Sequence, residues 1–183
     1  MTSDSLSRRQ IVLERLTRNG ILCPFSTAED CIRTLGGIQY QVRAAGEISI
    51  FLRVRGLRRS TLERGYASRK LINQWGQRKT LHLYCRDDYP LVCDVYSPYN
   101  YLYQFLKGRE EELVHIAETV GSIAQGEEID RDLIWKMVSE HFPEDAKSNT
   151  YAPYAVYSWS SNTGLLYQVP GRQRSFVRSD ILR

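Results

Sequence analysis

Two glutamines, Gln39 and Gln41, flank Tyr40 in the run Leu35-Gly36-Gly37-Ile38-Gln39-Tyr40-Gln41-Val42-Arg43-Ala44-Ala45. An amide oxygen accepts a hydrogen bond but an amide does not titrate. Such a pair therefore suits holding a polar molecule in place and cannot carry a proton as a general base. Residues two apart point to roughly opposite faces of a helix, so the glutamines share a site only where the chain is unwound or extended. Gly36-Gly37 just upstream breaks a helical pattern and lets backbone come close to a partner. Arg43 adds a forked cation to the same segment. The alternative reading is a polar helix end that happens to contain glutamines.

Other residues could serve that segment. Arg78 and His82 are an even number of positions apart in an alternating run, which on a strand turns them to the same side. They would contact phosphate or substrate there, or His82 is a hydrogen-bonded structural histidine. Arg53, Arg55, Arg58 and Arg59 form a cluster that either faces phosphate or lies in a solvated loop. The cysteines, Cys23, Cys31, Cys85 and Cys93, form no C-x-x-C pair and have no histidine at zinc-ligand spacing. They read as reduced, mostly buried thiols, with no metal or cofactor implied.

The charge is uneven along the 183 residues. Residues 1–107 carry 17 Lys and Arg against 9 Asp and Glu, while residues 108–183 carry 8 against 12. A basic half rich in Arg points to a polyanion partner. With no signal-peptide pattern and no run long enough to span a membrane, the expectation is a cytoplasmic chain.

The elements that must position these groups can be read from periodicity and capping. Apolar residues at helical spacing predict a helix over 8–19, stopped by Gly20. Ser26-Thr27-Ala28-Glu29 is a capping-box match that starts a second helix carrying Cys31, Ile32 and Leu35 inward. A third helix is expected from Gly46 to Leu52. Ser60-Thr61-Leu62-Glu63 is a second capping-box match opening a helix to Lys70. The period then changes, and Leu71–Trp75 and Arg78–Tyr84 read as two strands around Gly76. Three helices and a hairpin is the order of a winged helix-turn-helix.

Asp87-Asp88 opens a further helix through Val95. Tyr96, Tyr99, Tyr101, Tyr103 and Phe105 make an aromatic-rich connector, read as an inter-domain core. An amphipathic helix over 109–124 places Leu113, Ile116, Val120 and Ile123 on one face. Helices over 130–141 and 151–162 follow, separated by a polar loop at 143–149. A hairpin pairs Leu165–Val169 with Ser175–Arg178. The second half thus repeats the element order of the first. The expected architecture is mainly α with small β hairpins, as tandem winged helix-turn-helix domains: 1–95 as the first, 96–183 as connecting helices and the second.

Leu-Gly-Gly-Ile-Gln-Tyr-Gln at 35–41, Ala44-Ala45, and Gln77-Arg78-Lys79-Thr80-Leu81-His82 followed by Asp87-Asp88 resemble the AlkZ-like winged-helix DNA glycosylases. Gly164-Leu165-Leu166 and the segment from Arg174 to Asp180 fit the same family. The resemblance covers nearly the whole chain but about the N-terminal half of a typical member. It implies excision of N3- or N7-alkylated purines from double-stranded DNA, in some members with unhooking of crosslinks. The family's Gln-apolar-Gln catalytic motif falls on Gln39-Tyr40-Gln41. Arg43, Arg53, Arg55, Arg58, Arg59, Arg78, Lys79 and His82 then become the DNA-binding set.

The sequence departs from the pattern in two ways. Lys79 stands where the family has glycine. The third winged helix and the C-terminal domain are missing, so the chain reads as a natural short homologue, a gene fragment or a member that binds without catalysis, with a partner chain or a second copy as candidates to replace the missing half. Non-catalytic DNA binding is the competing function, and a protein-interaction module is a third.

Overall fold

The computed structural model describes residues 7–96, 108, 110–124, 128–141, 152–170 and 175–178. Helix α1 (Arg8–Arg18) begins at a capping box in which the Ser7 hydroxyl accepts from the Gln10 amide and the Gln10 side chain returns to the Ser7 N–H. It ends at Asn19 and Gly20, the latter at φ +73°. Helix α2 (Ala28–Thr34) is capped by Thr27, whose Oγ1 accepts from the Asp30 N–H at 3.0 Å. The expected cap was Ser26. Thr27 takes the role because it holds the extended backbone that aims a hydroxyl at the third helical amide.

A two-residue strand, β1 (Ile38–Gln39), follows the glycines, and α3 (Arg43–Phe51) then begins three residues before the expected Gly46. Helix α4 (Arg59–Ala67) starts at an Arg58 cap with no side-chain hydrogen bond, so Ser60 lies inside the first turn rather than capping it. Strands β2 (Leu71–Trp75) and β3 (Leu81–Cys85) form the hairpin. Its turn contains Arg78, which the alternating pattern had placed on a strand. Helix α5 (Tyr89–Tyr96) closes the first half.

The second half comprises α6 (Glu110–Ile123), β4 (Ile129–Asp130), α7 (Arg131–His141), α8 (Ala152–Asn162), β5 (Leu166–Gln168) and β6 (Ser175–Arg178). Helix α6 turns Ile116, Ala117 and Val120 inward, and Ala124 just beyond its end follows, the spacing of one helical face. Ile123, expected on that face, falls beside it and is 47% exposed. The expected Tyr99, Tyr101, Tyr103 and Phe105 cluster and the loop at 143–149 lie outside the described residues.

One antiparallel sheet runs through both halves in the order β1-β3-β2-β5-β6-β4. In each half a two-residue strand that follows a helix, α2 or α6, pairs with the last strand of the hairpin: Gln39 opposite His82, and Asp130 opposite Ser175. The two hairpins meet where Asn73 of β2 faces Gln168 of β5. A first apolar cluster joins Ile32, Ile50, Leu62, Leu71 and Leu83, and a second joins Ile116, Val120, Ile134, Val156 and Leu166. A third, with Ile72, Tyr84, Tyr89 and Tyr167, sits at the seam. The fold is mainly helical around this small sheet. Among the described residues no helix is long and apolar enough to cross a membrane.

Candidate active site

The glutamine segment is neither helix nor loop alone. Helix α2 ends in paired capping bonds, from the Gly36 N–H to the Arg33 carbonyl and from the Gly37 N–H to the Ile32 carbonyl. Both glycines have positive φ, +69° and +99°, and a side chain on Gly37 would meet the Tyr84 ring at 2.5 Å. This double-glycine reversal turns the chain at once into β1. Extended backbone alternates its side chains, so Ile38 and Tyr40 go inward while Gln39 and Gln41 go outward on the same side. The condition the sequence imposed for a shared glutamine site is therefore met.

Gln39 and Gln41 line one cavity of about 560 Å³, with Arg53, Gln77, Arg78 and His82 among its walls. Among the described residues no carboxylate lines it. Two guanidiniums with no acidic wall favour an anionic visitor. An Arg78 Nη2 donates to Gln39 Oε1 at 3.4 Å. Gln77, which has no separate role in the sequence analysis, donates from Nε2 to the Gly36 carbonyl at 2.6 Å and locks the hairpin turn onto the double-glycine turn. Arg53 holds its guanidinium against α3, donating to the Ser49 carbonyl at 2.8 Å and to its hydroxyl at 3.0 Å.

His82 is 2% exposed, with Nδ1 2.9 Å from the Thr80 carbonyl. A carbonyl can only accept, so Nδ1 carries the proton and Nε2 of the neutral ring is left as an acceptor. Burial, with Arg78 adding to it, pushes the imidazole below its ordinary range, while the Thr80 bond opposes the shift. The histidine is both structural, through Thr80, and a wall of the cavity.

Tyr40, between the glutamines, is the anchor. Its hydroxyl lies 2.6 Å from that of Tyr66, and the two oxygens lie 3.3 and 3.4 Å from Glu47 Oε1, so with two protons for three contacts one phenol donates to the other and the second donates to the carboxylate. Gly46 leaves room for the ring, since a side chain there would meet Tyr40 at 2.2 Å. Burial pushes the Tyr40 phenol up to about 12, so it stays a neutral donor. Arg43 donates from Nε to the same Glu47 oxygen at 2.7 Å, pairs with Glu63, and lies over the Tyr66 ring. The structure thus sets Arg43 behind the glutamines, outside the cavity wall.

Arg55, Arg58 and Arg59 also fall outside the cavity, and Arg59 lies 3.6 Å from Glu63. Arg78 and Lys79 occupy the hairpin turn at φ +52° and +59°. The Thr80 N–H reaches the Gln77 carbonyl at 3.3 Å, so these are the two central residues of a type I′-like turn. That geometry favours glycine, and Lys79 is the position where a glycine was expected by resemblance. Among the described residues no group of three His, Cys, Asp or Glu is placed to hold a metal ion.

Comparison with known proteins bears on the fold and the family. The chain is similar to the solved DNA glycosylase AlkZ of Streptomyces sahachiroi, with a TM-score of 0.74 and 22% identity over 96% of this chain. It spans about half the length of that protein, covering 50% of it. At that identity the likeness speaks for the fold. No curated protein matches the sequence. The family model described as "DNA glycosylase AlkZ-like" matches residues 32–179, from the last turns of α2 to the end of the second hairpin, and on that match the chain belongs to the AlkZ-like DNA glycosylase family.

Proposed function

We propose that this chain excises N3- or N7-alkylated purines from double-stranded DNA, and that Gln39 and Gln41 carry the reaction. The observation behind this is that both amides, with Arg78 and His82, open onto one cavity that no carboxylate among the described residues lines. An alkylated purine of this kind is cationic, so its glycosidic bond breaks with little acid help. The base takes the bonding electrons and leaves neutral. The water oxygen bonds to C1′ and its proton passes to solvent. An amide oxygen orients that water, and the neutral His82 Nε2 offers it a second acceptor. Because no amide titrates, the chemistry is restricted to such activated bases.

In this reading residues 1–95 and 96–183 are tandem winged helices that meet at the Asn73–Gln168 pair. Arg53, Arg78 and Lys79 hold phosphates beside the cavity, and Arg55, Arg58 and Arg59 extend the contact along the duplex. Arg43 anchors the glutamine segment. Bulkier adducts and crosslinks fall in the same substrate class, and DNA as substrate places the work in the cytoplasm. The second reading is DNA binding without catalysis, or with a partner chain or second copy completing the site, and the basic Arg78-Lys79 turn beside the cavity serves it equally well. Free base released from duplex containing N7-methylguanine, at enzyme excess, supports the first reading. Binding with no release at any enzyme concentration supports the second.

A further inference from the structure

Gln41 borders a second space. A cleft of about 270 Å³ opens at the seam of the two halves, between Tyr40 and Gln41 on one side and Arg131 and Tyr154 on the other. Its floor is the sheet itself, where Asn73 and Trp75 of β2 face the same way as their neighbour Gln168 on β5. Asn73 is 6% exposed, and its Oδ1 is buried without a hydrogen-bond partner among the described residues. A buried amide left so is costly unless something entering the cleft satisfies it. The half-buried Trp75 indole beside it offers a flat apolar face. Arg131 is held over Tyr154 at 5.4 Å and Trp135 at 5.6 Å. Arg43, at the far wall, is neutralised by Glu47 and Glu63.

An amide edge beside an indole face is complementary to a nucleobase, which presents donors and acceptors on its rim and a π-surface above. We propose that this cleft receives the purine extruded from DNA, with Trp75 stacking on it and Asn73 reading its edge. The proposal rests on the glycosylase reading of the neighbouring cavity. Gln41 is a wall of both spaces. Gln39 and His82 share one face of the sheet and Asn73 and Trp75 the other, so a nucleotide with its sugar in the cavity and its base in the cleft passes round the β1 edge, with the N-glycosidic bond at Gln41. That gives Gln41 the atoms that react, while Gln39, held by Arg78, stays on the sugar side.

The test uses free 7-methylguanine as probe, titrated into the full chain and followed by tryptophan fluorescence and by direct equilibrium dialysis. The wild type binds it. Asn73→Leu weakens binding about tenfold, the scale of one hydrogen bond to a buried group. Trp75→Leu weakens it about 5- to 100-fold, the range of base–aromatic stacking, and gives a second variant should Asn73→Leu not fold. Thermal melts establish folding, and both variants keep wild-type affinity for undamaged duplex. Single-turnover excision of N7-methylguanine from DNA is measured in parallel. If the wild type excises the base and both folded variants match it in excision and in probe binding, the cleft proposal is overturned while the glycosylase reading stands. If the wild type excises nothing yet binds the probe in a manner dependent on Asn73 and Trp75, the glycosylase reading falls and the base pocket is upheld. If the wild type binds no probe, the cleft proposal is overturned.

Discussion

Replacing Lys79 with glycine should stabilise this protein, against the usual direction for substitutions to glycine. Lys79 sits at φ +59° in the second central position of the β2–β3 turn, immediately after Arg78 at φ +52°. A non-glycine residue held in the left-handed region costs roughly 1–2 kcal/mol. Glycine removes that cost but gives back about 0.5–1 kcal/mol through the greater freedom of its unfolded chain. The net expectation is a gain centred on about 0.75 kcal/mol within a span of about 0–1.5 kcal/mol, or up to about 6 °C in melting temperature for a chain of this size.

Lys79→Ala is the control, because it removes the same side-chain contacts while leaving the left-handed strain in place. Thermal unfolding by circular dichroism, with urea midpoints, should rank Lys79→Gly above the wild type and Lys79→Ala at or below it. The same pair reads function. If the ammonium contacts phosphate, both variants bind duplex DNA more weakly and lose about 0.9 from the salt slope. A Lys79→Gly protein no more stable than Lys79→Ala would refute the strain argument.

Three further outcomes follow from the site. Arg78→Ala should reduce the salt slope of duplex binding by roughly one unit and also lower excision, because Gln39 loses the donor at 3.4 Å. Glu47→Gln should cost about 1–3 kcal/mol in urea unfolding, since one carboxylate oxygen serves Arg43, Tyr40 and Tyr66. Buried neutral His82 binds fewer protons than it does in the unfolded chain, so its contribution is present above a pH of about 6.5 and is lost as pH falls through its depressed folded value. Urea midpoints taken from pH 8 to pH 5 should fall accordingly, and a His82→Gln variant should show a shallower fall.

Much of the frame was legible because it rests on local signals. The spacing of apolar residues located most helices, and Gly-Gly located the reversal before the glutamines. The strands β1 and β4 were not legible, since two residues carry no period and exist only because a hairpin strand elsewhere pairs with them. Arg78 was misplaced onto a strand because Arg-Lys is not turn chemistry; five residues from Gly76 to Thr80 absorb what the alternation had assigned to the sheet. Arg43 has Glu47 at i+4, a pairing visible in the sequence, but Glu63 reaches it only through the packing of α4 on α3. Gln77 stood in the run that carried the family resemblance, yet its bond to Gly36 spans 41 residues and had no local sign. The Asn73–Gln168 pair joins the two halves, and nothing in either segment alone announces it.

The central claim is that Gln39 and Gln41 act on a bound nucleotide and do not merely shape a binding surface. Its most direct test is the single-turnover release of base from duplex containing N7-methylguanine, for wild type, Gln39→Ala and Gln41→Ala, with duplex affinity measured on the same preparations. The account predicts release by the wild type, a loss of about 10²-fold or more in each variant, and nearly unchanged affinity. Release by the two variants at the wild-type rate, or tight binding by a wild type that frees no base at any enzyme excess, would contradict it.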